Sequence, residues 1–320
     1  MTSVQATIVQ QNGLAPSVAK LDVHSPDVTP LAAIPSPSQG VWMVSGFPIR
    51  GYALSILLGI LVAVLWSQRR YAARGGNHEV VLDVALAAVP AGIIGGRLYH
   101  LATDWRTYWG PNGTPGDWWK ITNGGLGIWG AVIGGGLAAW AVLRWKRLAL
   151  APFADSVAPP ILVAQGIGRL GNWFNQELYG RPTDLPWGLK IFERVDNHGV
   201  LDPVLGHSNG HVIAIVQPTF LYEMLWNFVI AALIDSIVKK VRLENGQVFA
   251  LYVAVYTAGR FWIELLRADT ATHVFGLRIN TITSAVCFVG AVIFLVWTRS
   301  HRREKTDELR AYSGSTLGNK

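Results

Sequence analysis

The sequence predicts an all-α polytopic membrane protein with about seven transmembrane helices. Three observations lead there. Of 320 residues 51% are apolar, only 15% are charged, and tryptophan occurs 14 times, whereas soluble domains carry roughly 25% charged residues. Seven apolar stretches approach the ~20 residues that a bilayer crossing needs. Short connectors rich in Lys and Arg follow every second stretch, the alternation that orients a multi-span protein.

The chain opens with residues 1–47, rich in Pro, Ser, Thr and Ala and without sustained periodicity. This segment has neither the basic start nor the apolar core of a signal peptide, and reads as a disordered tail. The first three spans are "IRGYALSILLGILVAVLW" (49–66), "VLDVALAAVPAGIIGGRLYHLA" (81–102) and "GGLGIWGAVIGGGLAAWAVLRW" (124–145). A Pro-interrupted span follows, "FADSVAPPILVAQGIGRL" (153–170). The last three are "PTFLYEMLWNFVIAALIDSIV" (218–238), "QVFALYVAVYTAGRFWIELL" (247–266) and "NTITSAVCFVGAVIFLVW" (280–297). The expected organisation is a tail over 1–47, a seven-helix catalytic domain over 48–298 with loops 103–123 and 171–217, and a basic tail over 299–320.

The connectors "QRRYAARGG", "RWKR", "KKVR" and "RSHRRE" all fall on one side, which is therefore cytoplasmic, with the N-terminus outside and the C-terminus inside. The two longer connectors fall outside, where Trp105, Trp109, Trp118, Trp119, Trp173 and Trp187 suit a headgroup-level aromatic belt. Small residues in "GIIGG" (92–96) and "GAVIGGG" (130–136) allow helix backbones to approach closely in lipid. The net charge of +7 then expresses sidedness and calls for no nucleic-acid partner. The single Cys287 excludes an internal disulfide framework and reads as a small apolar filler. No His pair stands at ligand spacing within a span, "HSNGH" (207–211) reads as a polar turn, and "GIGRLGN" follows no strand, so neither metal, nucleotide nor other cofactor is expected.

The informative polar groups lie inside or at the outer ends of spans: Arg97, His100, Arg169, Glu177, Arg181, Glu223, Arg260, Glu264 and Arg267. A charge at the bilayer centre costs about 2.5–3.5 kcal/mol on insertion scales, so such groups face the bundle interior. Arg260 and Glu264 are four apart, Glu264 and Arg267 three apart, and each pair shares a helical face. Ion pairs that fix helix packing account for part of the set. Arginines outnumber carboxylates near the outer interface, however, and an excess of guanidinium calls for an anion such as phosphate. In "GIGRLGNWFNQELYGRPTDLPWG" (166–188), Asn172 and Asn175 add amide donors and Gly180 permits a sharp turn before Arg181. These residues describe a binder of an anionic amphiphile near the outer leaflet, enzyme or carrier. A lipid or anion transporter would show paired, similarly interrupted halves, and here one polar stretch stands without a counterpart.

The stretch "GRLGNWFNQELYGRPT" resembles the signature of the prolipoprotein diacylglyceryl transferases. The resemblance extends through "IRGYALSILLG", "GGLGIWGAVIGG", "QPTFLYEMLWN" and "FWIELLRADTATHVFGLRIN", nearly all of 49–297. It implies a bacterial inner-membrane enzyme of seven spans, N-out and C-in, with its active site toward the outer leaflet. The implied reaction moves the diacylglyceryl group of phosphatidylglycerol to the lipobox cysteine of a preprolipoprotein that retains its signal peptide, releasing glycerol phosphate. The nucleophile then belongs to the substrate. Under the resemblance Arg169 is the headgroup arginine, Arg267 the second functional arginine, and Asn172, Glu177 and Gly180 match signature positions. Tyr52 matches a tyrosine on the first span, and Glu223 is carried over from "LYE". Arg97 and Asn175 join the headgroup set, and Glu264 the catalytic one. One departure stands out: many members carry a histidine where this chain has Trp129. His100, His273 and Glu264 are alternative bases, and water in the arginine field is a fourth.

Overall fold

In the computed structural model the described residues are 33–300 apart from 112, 122–123, 242, 244–245, 270–272 and 275. The tails expected over 1–32 and 301–320 lie outside them. Among the described residues seven helices are long and apolar enough to cross a membrane. They are α1 (Gly51–Ala72), α2 (Glu79–Thr103), α4 (Ile128–Trp145), α5 (Leu150–Gly168) continued by the short α6 (Leu170–Asn175), α7 (Thr219–Lys240), α8 (Gln247–Leu266) and α9 (Ile279–Ser300). A five-residue helix, α3 (Trp105–Trp109), lies in the connector after α2. The described chain forms two compact units, one from 64–157 and one from 33–63 with 158–300.

In the first unit α2 packs on α4 through glycine. A Cβ on Gly130 would collide with the carbonyl oxygen of Gly95, and one on Gly134 with that of Ala91. The approach brings the Gly127 nitrogen, at the start of α4, within 2.8 Å of the Gly96 carbonyl inside α2, a hydrogen bond between the two helices. The unit's core joins Tyr71, Val80, Val81, Val84, Leu143 and Phe153, with the Tyr71 ring edge-on to Phe153. Pro90 sits inside α2, as lipid-embedded helices tolerate when neighbours satisfy the freed carbonyl.

In the second unit α5, α7 and α8 share a core of Ala158, Leu162, Ile230, Ala231, Ile234, Val248 and Tyr252. Gly59 lets α1 lie against the Ala164 carbonyl of α5. The connector 171–217 is more ordered than an all-α reading provides. It holds β4 (Leu189–Val195) and β5 (His207–Val216), antiparallel, with β1 (Ile34–Pro35) added in parallel to β4. A separate hairpin joins β2 (Val41–Val44) to β3 (Phe47–Arg50). Its turn residues Ser45 and Gly46 have φ of 50° and 82°, the left-handed pair that matches strand twist in a two-residue hairpin. The described part of the expected tail, 33–47, is thus folded: β1 completes a sheet edge and the hairpin leads into α1. "HSNGH" likewise belongs to β5, where Gly210 at φ 87° marks the irregularity in pairing.

Valine at Gly130 should lower the apparent Tm in detergent, since overpacking costs about 1–3 kcal/mol. Valine at Gly136, which has open space around its Cβ, should leave Tm within a degree or so, and thermal scans of both variants make the comparison.

Candidate active site

The site of the second unit begins where α5 breaks. The chain turns at Arg169, whose N–H donates to the Gly166 carbonyl (3.1 Å), and re-enters a helix for six residues of α6. This break points the Arg169 guanidinium at α7. Its Nη2 donates to Glu223 Oε1 at 2.5 Å, Nη1 lies 3.4 Å from Asn172 Oδ1, and the Tyr256 hydroxyl bonds the same guanidinium. Glu223, only 2% exposed, also receives Arg260 Nη1 on Oε2 (2.7 Å) and the Tyr256 hydroxyl on Oε1 (3.3 Å).

From Arg260 the network runs toward the C-terminal end of α8. Arg260 Nη2 pairs with Glu264 Oε2 at 2.8 Å, and Glu264 also accepts from Arg278 Nε (2.7 Å), Asn280 Nδ2 (3.2 Å) and Arg267 Nη1 (3.5 Å). Glu264 is fully buried, so its carboxylate survives only because three cations and an amide replace water. The Arg267 fork is committed to Asp269, with Nε to Oδ1 at 2.7 Å and Nη2 to Oδ2 at 2.8 Å. Burial would raise the Asp269 carboxyl, but the hydrogen bond and charge of Arg267, with Arg278 behind it, hold it below the ordinary aspartate range.

The linked network holds four arginines, 169, 260, 267 and 278, against three carboxylates, 223, 264 and 269, a formal balance of 4 − 3 = +1. The expected excess of guanidinium is therefore small: Asp269 and Arg278 enter the count together and cancel, while Arg97 and Arg181 donate to backbone carbonyls outside it. What separates the arginines is the kind of partner each holds. Arg267 faces carboxylate on both edges of its fork. Arg169 holds one carboxylate and two neutral partners, which an anion can displace at lower cost.

Glu177 is paired differently. Its Oε1 accepts from Asn172 Nδ2 (3.0 Å) and Asn175 Nδ2 (3.1 Å), and among the described residues no cation lies at ion-pair distance. Tyr52 packs against Gly171, where a Cβ would lie 2.5 Å from its ring, and its hydroxyl is within electrostatic reach of Glu177 and Arg169. The backbone between these groups is unusual. Gln176 (φ 52°) and Leu178 (φ 56°) are both left-handed, a conformation that costs of order 1–3 kcal/mol per residue without glycine. Gln176 answers it by bonding strand β4 at Phe192, accepting from N–H (2.7 Å) and donating to C=O (3.1 Å) at the bulge. Gly180 bridges Arg267 in antiparallel fashion, and a Cβ there would lie 2.9 Å from both the Leu266 carbonyl and Thr219. Its role is close approach: it brings the signature backbone onto the end of α8. Arg194 of β4 ties Pro37 O (2.9 Å) and Phe174 O (2.8 Å), and burial pushes it down to about 10, still cationic at neutral pH.

Not every expected residue joins this constellation. Arg97 belongs to the first unit, where its guanidinium donates to the carbonyls of Asp117 (2.7 Å), Trp118 (2.8 Å), Gly124 (2.9 Å) and Gly125 (3.0 Å) above the Tyr108 ring. It clamps its own loop, and those carbonyls occupy the donors expected to serve a headgroup. His100 is in the same unit, paired with Asp104 at 3.1 Å, and Trp129 stands half-exposed at the start of α4. His273 pairs with Arg278 through its backbone in the β6 (His273–Val274) and β7 (Leu277–Arg278) ribbon; its side chain lies outside the described residues. Trp173 is a structural residue, donating its indole N–H to Pro35 O (3.1 Å). Arg278, Asp269 and Tyr256 are network members that the sequence reading lacked, and Arg260, expected as a partner of Glu264, also holds Glu223. The spacing of 256, 260 and 264 along one helical face was the available signal.

Seven membrane-crossing helices and a buried guanidinium–carboxylate network define a polytopic membrane protein with an interior site suited to an anionic group. A family model described as prolipoprotein diacylglyceryl transferase matches residues 39–297, and the chain belongs to that family. It is 63% identical over 267 residues to a phosphatidylglycerol–prolipoprotein diacylglyceryl transferase of Corynebacterium efficiens, covering 83% of each chain. It is 58% identical over 289 residues to that of Corynebacterium glutamicum strain R, covering 90% of this chain and 91% of the relative. To that of Rhodococcus jostii it is 53% identical over 290 residues, covering 90% and 80%.

Asparagine at Asp269 should lower Tm at neutral pH and flatten the acid limb of the stability curve. The folded aspartate titrates below its unfolded value, so its contribution is complete above about pH 4 and fades as pH falls through the depressed value. Thermal scans from pH 3 to 7 on both proteins read the difference.

Proposed function

We propose that the protein transfers the diacylglyceryl group of phosphatidylglycerol to the lipobox cysteine thiol of a preprolipoprotein still carrying its signal peptide. It does so in the bacterial inner membrane, at a site toward the outer leaflet. The names of the relatives support the two substrate classes. The basic connectors support an orientation with the N-terminus outside and the C-terminus cytoplasmic. The observation that carries the reading is the state of Arg169: a guanidinium anchored through one edge by buried Glu223, with neutral partners elsewhere.

The phosphate takes the open edge of Arg169, exchanging the Asn172 and Tyr256 contacts for charge-assisted bonds. Arg260, behind Glu223, keeps that carboxylate from folding onto the substrate's place. Arg267 acts through position, closing Asp269 and the backbone of Gly180 onto the end of α8. The substrate thiol gives its proton to Glu177, the carboxylate that no guanidinium holds among the described residues. Its sulfur forms a bond to the glycerol carbon while the bond from that carbon to the phosphate oxygen breaks. The electron pair leaves with glycerol phosphate, where Arg169 stabilises the developing charge.

Purified protein given phosphatidylglycerol and a lipobox peptide should raise the peptide mass by one diacylglyceryl group, and a Cys→Ser peptide should gain nothing. Arg169→Ala should reduce kcat/KM by about 10²-fold or more, as loss of one transition-state donor does elsewhere. Arg169→Lys should remain poor, because a point charge cannot reproduce the fork. Wild-type turnover by Arg169→Ala contradicts the headgroup assignment. Glu177→Gln keeps both amide contacts as an acceptor and should depress kcat with little change in KM; an unchanged kcat removes Glu177 as the proton acceptor.

A further inference from the structure

Asn227 lies on α7 one turn beyond Glu223 and is fully buried. Neither its Nδ2 nor its Oδ1 meets a hydrogen-bond partner among the described residues. Gln165, on α5 one turn before Arg169, shares the feature at Oε1, while its Nε2 donates to the Tyr252 hydroxyl at 3.1 Å. The level of these groups is fixed from both sides. Toward the network, Glu223 draws Arg169 and Arg260 together and so aligns the end of α5 with α7 and α8. Away from it, Leu162, Ile230, Ala231 and Val248 close an apolar core. Successive helical turns are about 5.4 Å apart, so Asn227 and Gln165 each stand one turn from the ion pair, between those two levels, and Gln165 reaches down to the hydroxyl of Tyr252 in the core.

Buried amides are almost always hydrogen-bonded, and in hydrocarbon surroundings the cost of leaving one unpaired is high. The chemistry that would answer these groups is narrow. Asn227 presents a donor and an acceptor, and Gln165 an acceptor. An ester carbonyl answers only the donor, an ammonium only the acceptors. A hydroxyl answers both. We propose that Asn227 and Gln165 form a binding site for a hydroxylic group one helical turn beneath the Arg169–Glu223 pair, filled by water or by a hydroxyl of the lipid headgroup. The headgroup source rests on the transferase reading; the water source does not.

The test uses the full-length protein in nanodiscs, one set of phosphatidylglycerol and one of phosphatidylethanol, whose headgroup has no hydroxyl. A high-resolution map should show a peak about 2.7–3.2 Å from both amide atoms of Asn227. A peak in both lipids identifies water, and a peak with phosphatidylglycerol alone identifies the headgroup hydroxyl. No peak in either overturns the site. Asn227→Leu, close in size and apolar, should lower Tm in phosphatidylglycerol nanodiscs by about 2–4 °C, since it removes the partner of a bound hydroxyl. An unchanged or raised Tm means the amide was unpaired and overturns the proposal. Neither readout depends on transfer activity, so loss of the transferase reading and loss of this site are separately visible.

Discussion

A carboxylate buried in a membrane bundle must be neutralised, and Glu223 is neutralised by guanidinium groups from two other helices. Arg169 reaches it from the end of α5 and Arg260 from α8. Because a buried carboxylate with a partner removed costs about 3–5 kcal/mol, this meeting fixes the axial register of three helices at once. The apolar core beneath, from Leu162 to Val248, is compatible with small shifts along the helix axes; the ion pairs are not. Everything beyond it toward the C-terminal end of α8 inherits that register, including the Glu264 junction and the loop that carries Asp269 and Arg278.

The same constraint explains why the polar stretch after α5 is built as it is. An arginine at the break of a helix can leave the helical face, and the short α6 returns Asn172 toward Glu177. Two left-handed residues then turn the chain sharply, and Gln176 offsets the strain by closing onto the bulge of β4. The β-ribbon is thus a brace for the signature. Glycine at 180 serves contact and not turning, since its backbone lies against the end of α8 and would not admit a side chain.

Much of this was legible in the sequence. Spans are visible because apolar runs of bilayer length have few other uses, and the structured helices differ from the sequence reading mainly at their ends. Glu264 with its neighbours on α8 was readable from three- and four-residue spacing. The pairing of Arg169 with Glu223 was not, as these residues lie 54 apart in sequence and meet only through tertiary packing. Arg97 shows the limit in the other direction: a buried arginine signals an acceptor, but not whether the acceptor is a ligand or four carbonyls of its own loop. The sheet escaped notice because β1 has two residues and gains its partner from 155 positions away. Asp269 and Arg278 lie beyond the spans, where nothing in the sequence marks them, yet Asp269 pairs with Arg267 and Arg278 with Glu264.

The central claim is that Arg169 exchanges its neutral partners, Asn172 and Tyr256, for the lipid phosphate. Its most direct test is solid-state NMR of the protein in phosphatidylglycerol bilayers, with guanidinium nitrogens isotope-labelled and dipolar coupling to lipid phosphorus recorded. The account predicts a close nitrogen–phosphorus coupling in the wild-type protein that disappears in Arg169→Lys. A coupling of unchanged strength in Arg169→Lys places the phosphate on another arginine and contradicts it.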